Sequence, residues 1–468
     1  MKIFCLNLWS RTGAVATAVL LHACAPGQDA PAPTAGPNLS RYLAVGDGYT
    51  AGFSAGGLTR ASQEYSFPTL LARQLRQAAP EATFSQPLLE TGSGTGYLDL
   101  VDFSAAGFPR ARRVAGQAVR NAPIVNPNAC GGPDTVRLLA RSASASALPQ
   151  NLGVPGLLLP QIEAAGLGNE ARATPGAAFN PYFERLLPAA DSRTYLQAIT
   201  DAAATATFFT YFQGLDDLLP YVRSGGQCGP LPNSTFAKQL TDNAKKVLDR
   251  LTAAGRPGII ARLPALATLP LLRLGKAYDL QARLRTSFGD TATLYVEAPF
   301  NSTVSQPIAD GDYVLATTLP RIGRPVLVQV GGTTQMLPYG RNIRTPLRDA
   351  DVLDKDELGR ITGVLNTYNN YLEAQAGLYK LPIITAAGSG RTLDLNVALF
   401  NQVAGVISVG GVQYSSEPVR GNFFSLDYYS LTPRGNGLLA NAFITAFNKA
   451  YRANLSGIDV NSLPATAR

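Results

Sequence analysis

The chain has 468 residues, 46% hydrophobic and 15% charged, which describes a globular protein with ample core and excludes a disordered one. Its formal charge of +8 is spread without a dense Lys/Arg tract, so the surplus reads as a solvated surface and supports no nucleic-acid partner. The length exceeds a usual single domain, yet no internal linker divides it, so one large domain with insertions is expected.

Lys2 and Arg11 stand before an apolar segment, Ala14 to Leu21, that ends in Leu21-His22-Ala23-Cys24. This reads as a secretory signal over residues 1–23 with the form of a bacterial lipobox, in which Cys24 is lipidated and becomes the mature N-terminus. The apolar run is well short of the length that spans a bilayer. Residues 24–39 are Pro-rich and read as a flexible tether. The expected partner is therefore a membrane, through the lipid on Cys24. The expected location is the bacterial cell envelope, at the outer membrane or cell surface. Loss of Lys2 and Arg11 leaves 40 − 2 = 38 basic against 32 acidic residues, a charge of +6. Cys5 leaves with the signal, so Cys130 and Cys228 remain to form one disulfide in an oxidising compartment. The only histidine is His22, and two thiolates without histidine do not make a zinc site. No metal or cofactor is expected.

From Ser40 onward, short apolar strands alternate with amphipathic helices, which predicts a mostly parallel sheet covered on both faces, a three-layer α/β/α sandwich. Tyr42 to Val45 is the first strand and Thr207 to Gln213 a buried one. Ser234 is placed to cap a helix that Gly255 ends, followed by a strand from Gly258 to Leu263. The helix from about Asp356 to Ala376 carries Leu358, Ile361, Leu365, Tyr368 and Leu372 on one face, with Gly377 as its stop. Leu381 to Thr385 is another strand. Thr432 and Pro433 open the last helix. Residues 85–150 and 278–345 break this rhythm and read as insertions over the C-terminal edge of the sheet, where open α/β folds bind ligands.

Four blocks carry chemistry: Gly46-Asp47-Gly48-Tyr49-Thr50-Ala51-Gly52; Asn151-Leu152-Gly153-Val154-Pro155-Gly156; Gly214-Leu215-Asp216-Asp217; and Asp427-Tyr428-Tyr429-Ser430. In order and spacing they resemble the SGNH (GDSL-type) hydrolase superfamily, over roughly Ser40 to Leu455. The resemblance implies a flavodoxin-like sandwich over about residues 40–460. It puts Gly48 where the nucleophilic serine belongs and Gly156 as a backbone donor to the oxyanion. Asp216 stands where an asparagine would donate to the same oxyanion. Asp427 keeps its place, and Ser430 replaces the histidine base. Nucleophile, imidazole and amide donor are thus all substituted, and an inactive esterase fold serving ligand binding or assembly is expected. The competing expectation is an ester hydrolase with displaced groups, drawing on Tyr49, Thr50 or Ser54 as hydroxyls or on Asp216 and Asp427 as carboxylates. Asp47, Asp216 and Asp427, with Asp217 nearby, are expected around one cleft, unless Asp47 and Asp217 serve backbone hydrogen bonds. Tyr428 and Tyr429 offer aromatic faces for a sugar ring or an acyl chain, or pack over the sheet edge.

Overall fold

Continuous apolar runs rather than alternating ones build the central sheet, because its strands are buried on both faces. The computed structural model describes residues 36–104, 107–128, 132–142, 147–172, 178–298, 301–384 and 405–466. Tyr42–Gly46 (β1), Asn151–Gly153 (β2), Phe208–Phe212 (β3), Gly258–Ala261 (β4) and Ile383–Ile384 (β5) are buried at every position. They form a five-stranded, all-parallel sheet in the order β5-β4-β3-β1-β2. In register, Gly46 lies opposite both Gly153 and Phe212. The chain passes from β1 to one side and from β3 to the other. The crevice where such sheets bind ligands therefore opens beyond the carboxyl ends of β1 and β3.

The helices that concern the site and the layers are Gly48–Ala51 (α1), Phe67–Ala78 (α2), Tyr195–Ala203 (α3), Leu215–Arg223 (α4), Ser234–Leu251 (α5), Lys355–Leu378 (α6) and Pro433–Tyr451 (α7). Successive residues of β3 point to opposite faces. Phe208 meets Phe447, and Phe212 meets Phe67 and Phe443, so α2 and α7 cover one face. On the other face the Tyr211 hydroxyl bonds that of Tyr368 at 2.9 Å, which places α6 there, with α5 against both α6 and α3. The rings of Phe67 and Phe443 stack at 4.7 Å. Truncating Phe443 to alanine removes that stack and leaves a cavity, at a cost of about 3–5 kcal/mol.

Some boundaries differ from expectation. Asn233, not Ser234, caps α5, its side chain accepting from the Phe236 amide at 2.8 Å. That helix ends at Leu251, and residues 253–255 form a separate turn. The α6 helix starts on a capping box between Asp354 and Glu357 and runs through Gly377 to Leu378. Thr432 caps α7, its side chain accepting from the Gly435 amide. The strand expected to end at Thr385 is described only to Ile384.

The stretches at 85–150 and 278–345 contain antiparallel hairpins: Gly96–Phe103 with Pro109–Ala115, Val119–Asn128 with Gly132–Leu139, Tyr295–Ala298 with Asn301–Pro307, and Pro325–Val330 with Thr333–Pro338. The last turns through Gly331 and Gly332, at φ +55° and +81°, the left-handed pair a tight hairpin requires. The first leans on the loop after α1, where Leu98 donates to the Ala55 carbonyl at 2.7 Å and Arg113 to that of Gly56 at 2.8 Å. Among the described residues, no helix is long and apolar enough to cross a membrane.

Candidate functional site

Three turns converge at the carboxyl end of the sheet. Strand β1 leads through Asp47 into α1, β2 into the loop Val154-Pro155-Gly156, and β3 into Gly214 and α4. A Cβ on Gly153 would stand 2.3 Å from the Ala51 amide nitrogen, so α1 lies directly on the end of β2 only because that residue is glycine. Gly214, at φ +114°, takes a conformation a side chain resists, and a Cβ there would meet the Tyr368 ring at 2.9 Å.

The first turn of α4 leaves backbone donors without helical partners. Asp47 supplies the acceptor: its Oδ2 receives the amides of Gly214, Leu215 and Asp216 at 3.0, 2.9 and 3.2 Å. Burial, then the neighbouring Asp216 carboxylate, push the Asp47 carboxyl up to about 8, against the pull of those three donors. Asp217 is likewise structural. Its Oδ1 accepts from the Leu159 amide at 2.8 Å, its Oδ2 is buried without a partner, and burial holds it well above the usual carboxylate range.

Asp216 turns the other way. Its Oδ2 accepts the amide of Gly156 at 2.7 Å and that of Gly48 at 3.1 Å, so one carboxylate oxygen sits on two convergent backbone donors. Such a pair at the end of a strand is a ready anion site, and here the anion is the chain's own. Burial raises the Asp216 carboxyl, while the two amides and the Arg223 guanidinium pull it down. Gly156 holds its amide in place at φ +68°, and Asn180 secures the loop by donating to the Pro155 carbonyl at 3.0 Å. A Cβ on Gly48 would come within 3.2 Å of Asp216 Oδ2.

Asp216 also lines a cleft of about 220 Å³ walled by Phe53, Tyr182 and Tyr429, with Leu219, Pro220 and Arg223 from α4. Arg223 lies over the Tyr429 ring at 5.2 Å, and Phe53 meets Tyr182 edge to face. The α4 contribution has helical spacing, at i, i+3, i+4 and i+7 from Asp216, so Arg223 was readable from the sequence once Asp216 was chosen. Tyr182 and Phe53 carried no such signal.

Apart from Tyr429, the fourth block is drawn into the loop after α1 rather than into the cleft. Asp427 Oδ1 accepts from the Ser430 amide at 2.8 Å, and its Oδ2 from the Gly56 amide at 2.8 Å and the Ser430 hydroxyl at 2.6 Å. Ser430 is fully buried, its Oγ accepting from the Ala55 amide at 3.1 Å and sharing a 2.7 Å hydrogen bond with the Ser425 hydroxyl. Tyr428 pays for the tight turn with φ +68°, unusual for a bulky residue, and lies outside the cleft wall. The four aspartates therefore do not share one cleft. Among the described residues Asp216 alone of them lines it, and no hydrogen bond joins Asp427 or Ser430 to Gly48 or Asp216.

The hydroxyls that follow Gly48 closely in sequence are all engaged. Thr50 donates to the Phe212 carbonyl at 3.2 Å, Ser54 to that of Leu431 at 2.8 Å, and Tyr49 to that of Tyr429. Among the described residues, neither insertion adds a residue to the cleft wall. Among the described residues no group of three or more acidic, thiol or imidazole side chains is arranged to hold a metal ion. Cys228 is disulfide-bonded, while Cys130, its expected partner, and Cys24 lie outside the described residues. Comparison with protein-family models, with curated proteins and with solved structures finds no match for this chain.

Proposed function

We propose that this chain is an SGNH-hydrolase-like, lipid-anchored protein of the bacterial envelope that has lost ester hydrolysis and acts in ligand binding or assembly. One observation carries the loss: the Asp216 carboxylate rests on the amides of Gly48 and Gly156. Those are the donors a developing oxyanion would need, and a resident negative charge repels it. Removing even one such donor costs about 3–4 kcal/mol of transition-state stabilisation. No hydroxyl replaces the serine, because those of Thr50, Ser54 and Tyr49 are committed to carbonyls. The cleft that remains offers aromatic faces, one carboxylate and one guanidinium, a set suited to a glycan or an acylated small molecule.

A panel of nitrophenyl esters tests the proposal. The native protein should give no turnover above buffer. The triple variant Gly48→Ser, Asp216→Asn, Ser430→His should gain saturable turnover, at least about 100-fold above Gly48→Ser with Ser430→His alone. Serine and asparagine must enter together, since a Cβ at position 48 is already tight against Asp216. Saturable hydrolysis by the native protein that survives repurification and disappears in Thr50→Ala would overturn the reading.

A further inference from the structure

Arg185 heads the described side chains that are buried to below 2% exposure, in order of size. A guanidinium does not shed its charge under ordinary conditions, so a buried one needs either a carboxylate or a bound anion. Arg185 has neither among the described residues. Its Nη2 donates to the carbonyls of Pro87 at 3.0 Å and Leu88 at 3.4 Å, and its Nε has no acceptor. The adjacent carboxylate, Glu184, is turned to Arg141 at 2.9 Å and is itself fully buried. Arg141 thus takes the adjacent carboxylate, and no described hydrogen bond or ion pair gives a carboxylate to Arg185. Burial moves its pKa down, to about 10.

Arg185 and Arg141 both line a pocket of about 190 Å³ whose walls include Leu88, Leu89 and Ala118, with the exposed Glu90 as its one carboxylate. It shares no lining residue with the cleft at Asp216. Arg185 also borders a second void of about 10 Å³. That is room for one water at most, which satisfies a donor but does not balance a charge. We propose that the larger pocket binds a small monocarboxylate with a short apolar tail, its carboxylate on Arg185 and its hydrocarbon against Leu88, Leu89 and Ala118. The guanidinium fork matches a carboxylate, and the apolar walls favour a tail over a bare inorganic anion.

Calorimetric titration of the native protein with hexanoate, hexanol and inorganic phosphate tests this. Hexanoate should bind saturably, hexanol at least about tenfold more weakly, and phosphate not measurably. Arg185→Gln should weaken hexanoate by about 30-fold or more, the loss expected when one partner of a buried charge pair is removed. Ala118→Phe fills the pocket without touching the charge and should abolish binding, so the proposal stays testable even if Arg185→Gln fails to fold. Absence of saturable hexanoate binding would overturn it. So would phosphate binding as tight as hexanoate, or hexanoate affinity unchanged in Ala118→Phe.

Discussion

If Asp216 serves as the chain's own anion on two backbone donors, removing it should create a vacancy that an external carboxylate can fill. Asp216→Ala strips the acceptor from the amides of Gly48 and Gly156. Gly48 is buried, so its orphaned N–H costs about 1–3 kcal/mol, whereas exposed Gly156 turns to water at little cost. Where Asp47 is ionised, relief of its repulsion with Asp216 offsets part of this. A net loss of about 1–2 kcal/mol is expected. Formate at ten times its dissociation constant should return about 1.4 kcal/mol by mass action. The assay is urea unfolding followed by far-UV circular dichroism, since the only tryptophan, Trp9, lies outside the described residues. Chloride at equal ionic strength is the control. Asp216→Asn keeps an acceptor oxygen and should respond less. An Asp216→Ala variant as stable as the native protein and indifferent to formate would refute the idea that these amides hold a charge.

Two further outcomes are expected. Asp47, at about 8, holds a proton in the folded state that the unfolded chain releases above about pH 4. Its contribution is complete below the unfolded value and is lost as pH rises toward 8. The urea midpoint should therefore fall between pH 5 and 9, and fall less in Asp47→Asn; a midpoint that rises across that window would contradict the raised carboxyl. Cys24→Ser should leave the membrane fraction or remain uncleaved, with metabolic fatty-acid labelling as the check, and normal labelling of the variant would exclude lipidation at Cys24.

The strands were legible because full burial leaves a simple mark, a short run of apolar residues bounded by polar or glycine turns, as at Tyr42–Gly46 and Gly258–Ala261. Helix ends were less so, for local reasons. Asn233 and Ser234 are both competent caps, and backbone geometry rather than residue type chose the first. Gly377 has no Cβ to favour the helix, yet α6 continues past it, its buried face reaching Ala376. The blocks that converge at the sheet end were readable, but the direction each carboxylate takes was not. Asp216 and Asp217 are adjacent on one helix turn, and that step sends one to the amides of Gly48 and Gly156 and the other to the amide of Leu159. Arg185 gave no signal at all. Glu184-Arg185 looks like an exposed charged pair until Arg141 arrives from 43 residues upstream and takes the carboxylate.

The substitutions at the site are physically interdependent on the proposed reading. A serine at position 48 would press on Asp216, whose Oδ2 already stands 3.2 Å from where its Cβ would lie. Glycine removes that pressure and lets the carboxylate settle on the Gly48 amide. The settled carboxylate then fills the place where an oxyanion would form, so a nucleophile there would gain nothing. At the far side, the small hydroxyl of Ser430 fits within the network of Asp427, Ser425 and Ala55 that draws the fourth block onto the loop after α1. An imidazole is too large for that buried position without displacing the network. Restoring one group alone therefore meets resistance from the others, by crowding at position 48 and by burial at position 430. Reactivation should come only from changing them as a set, with stability lost at Ser430→His before any activity is gained.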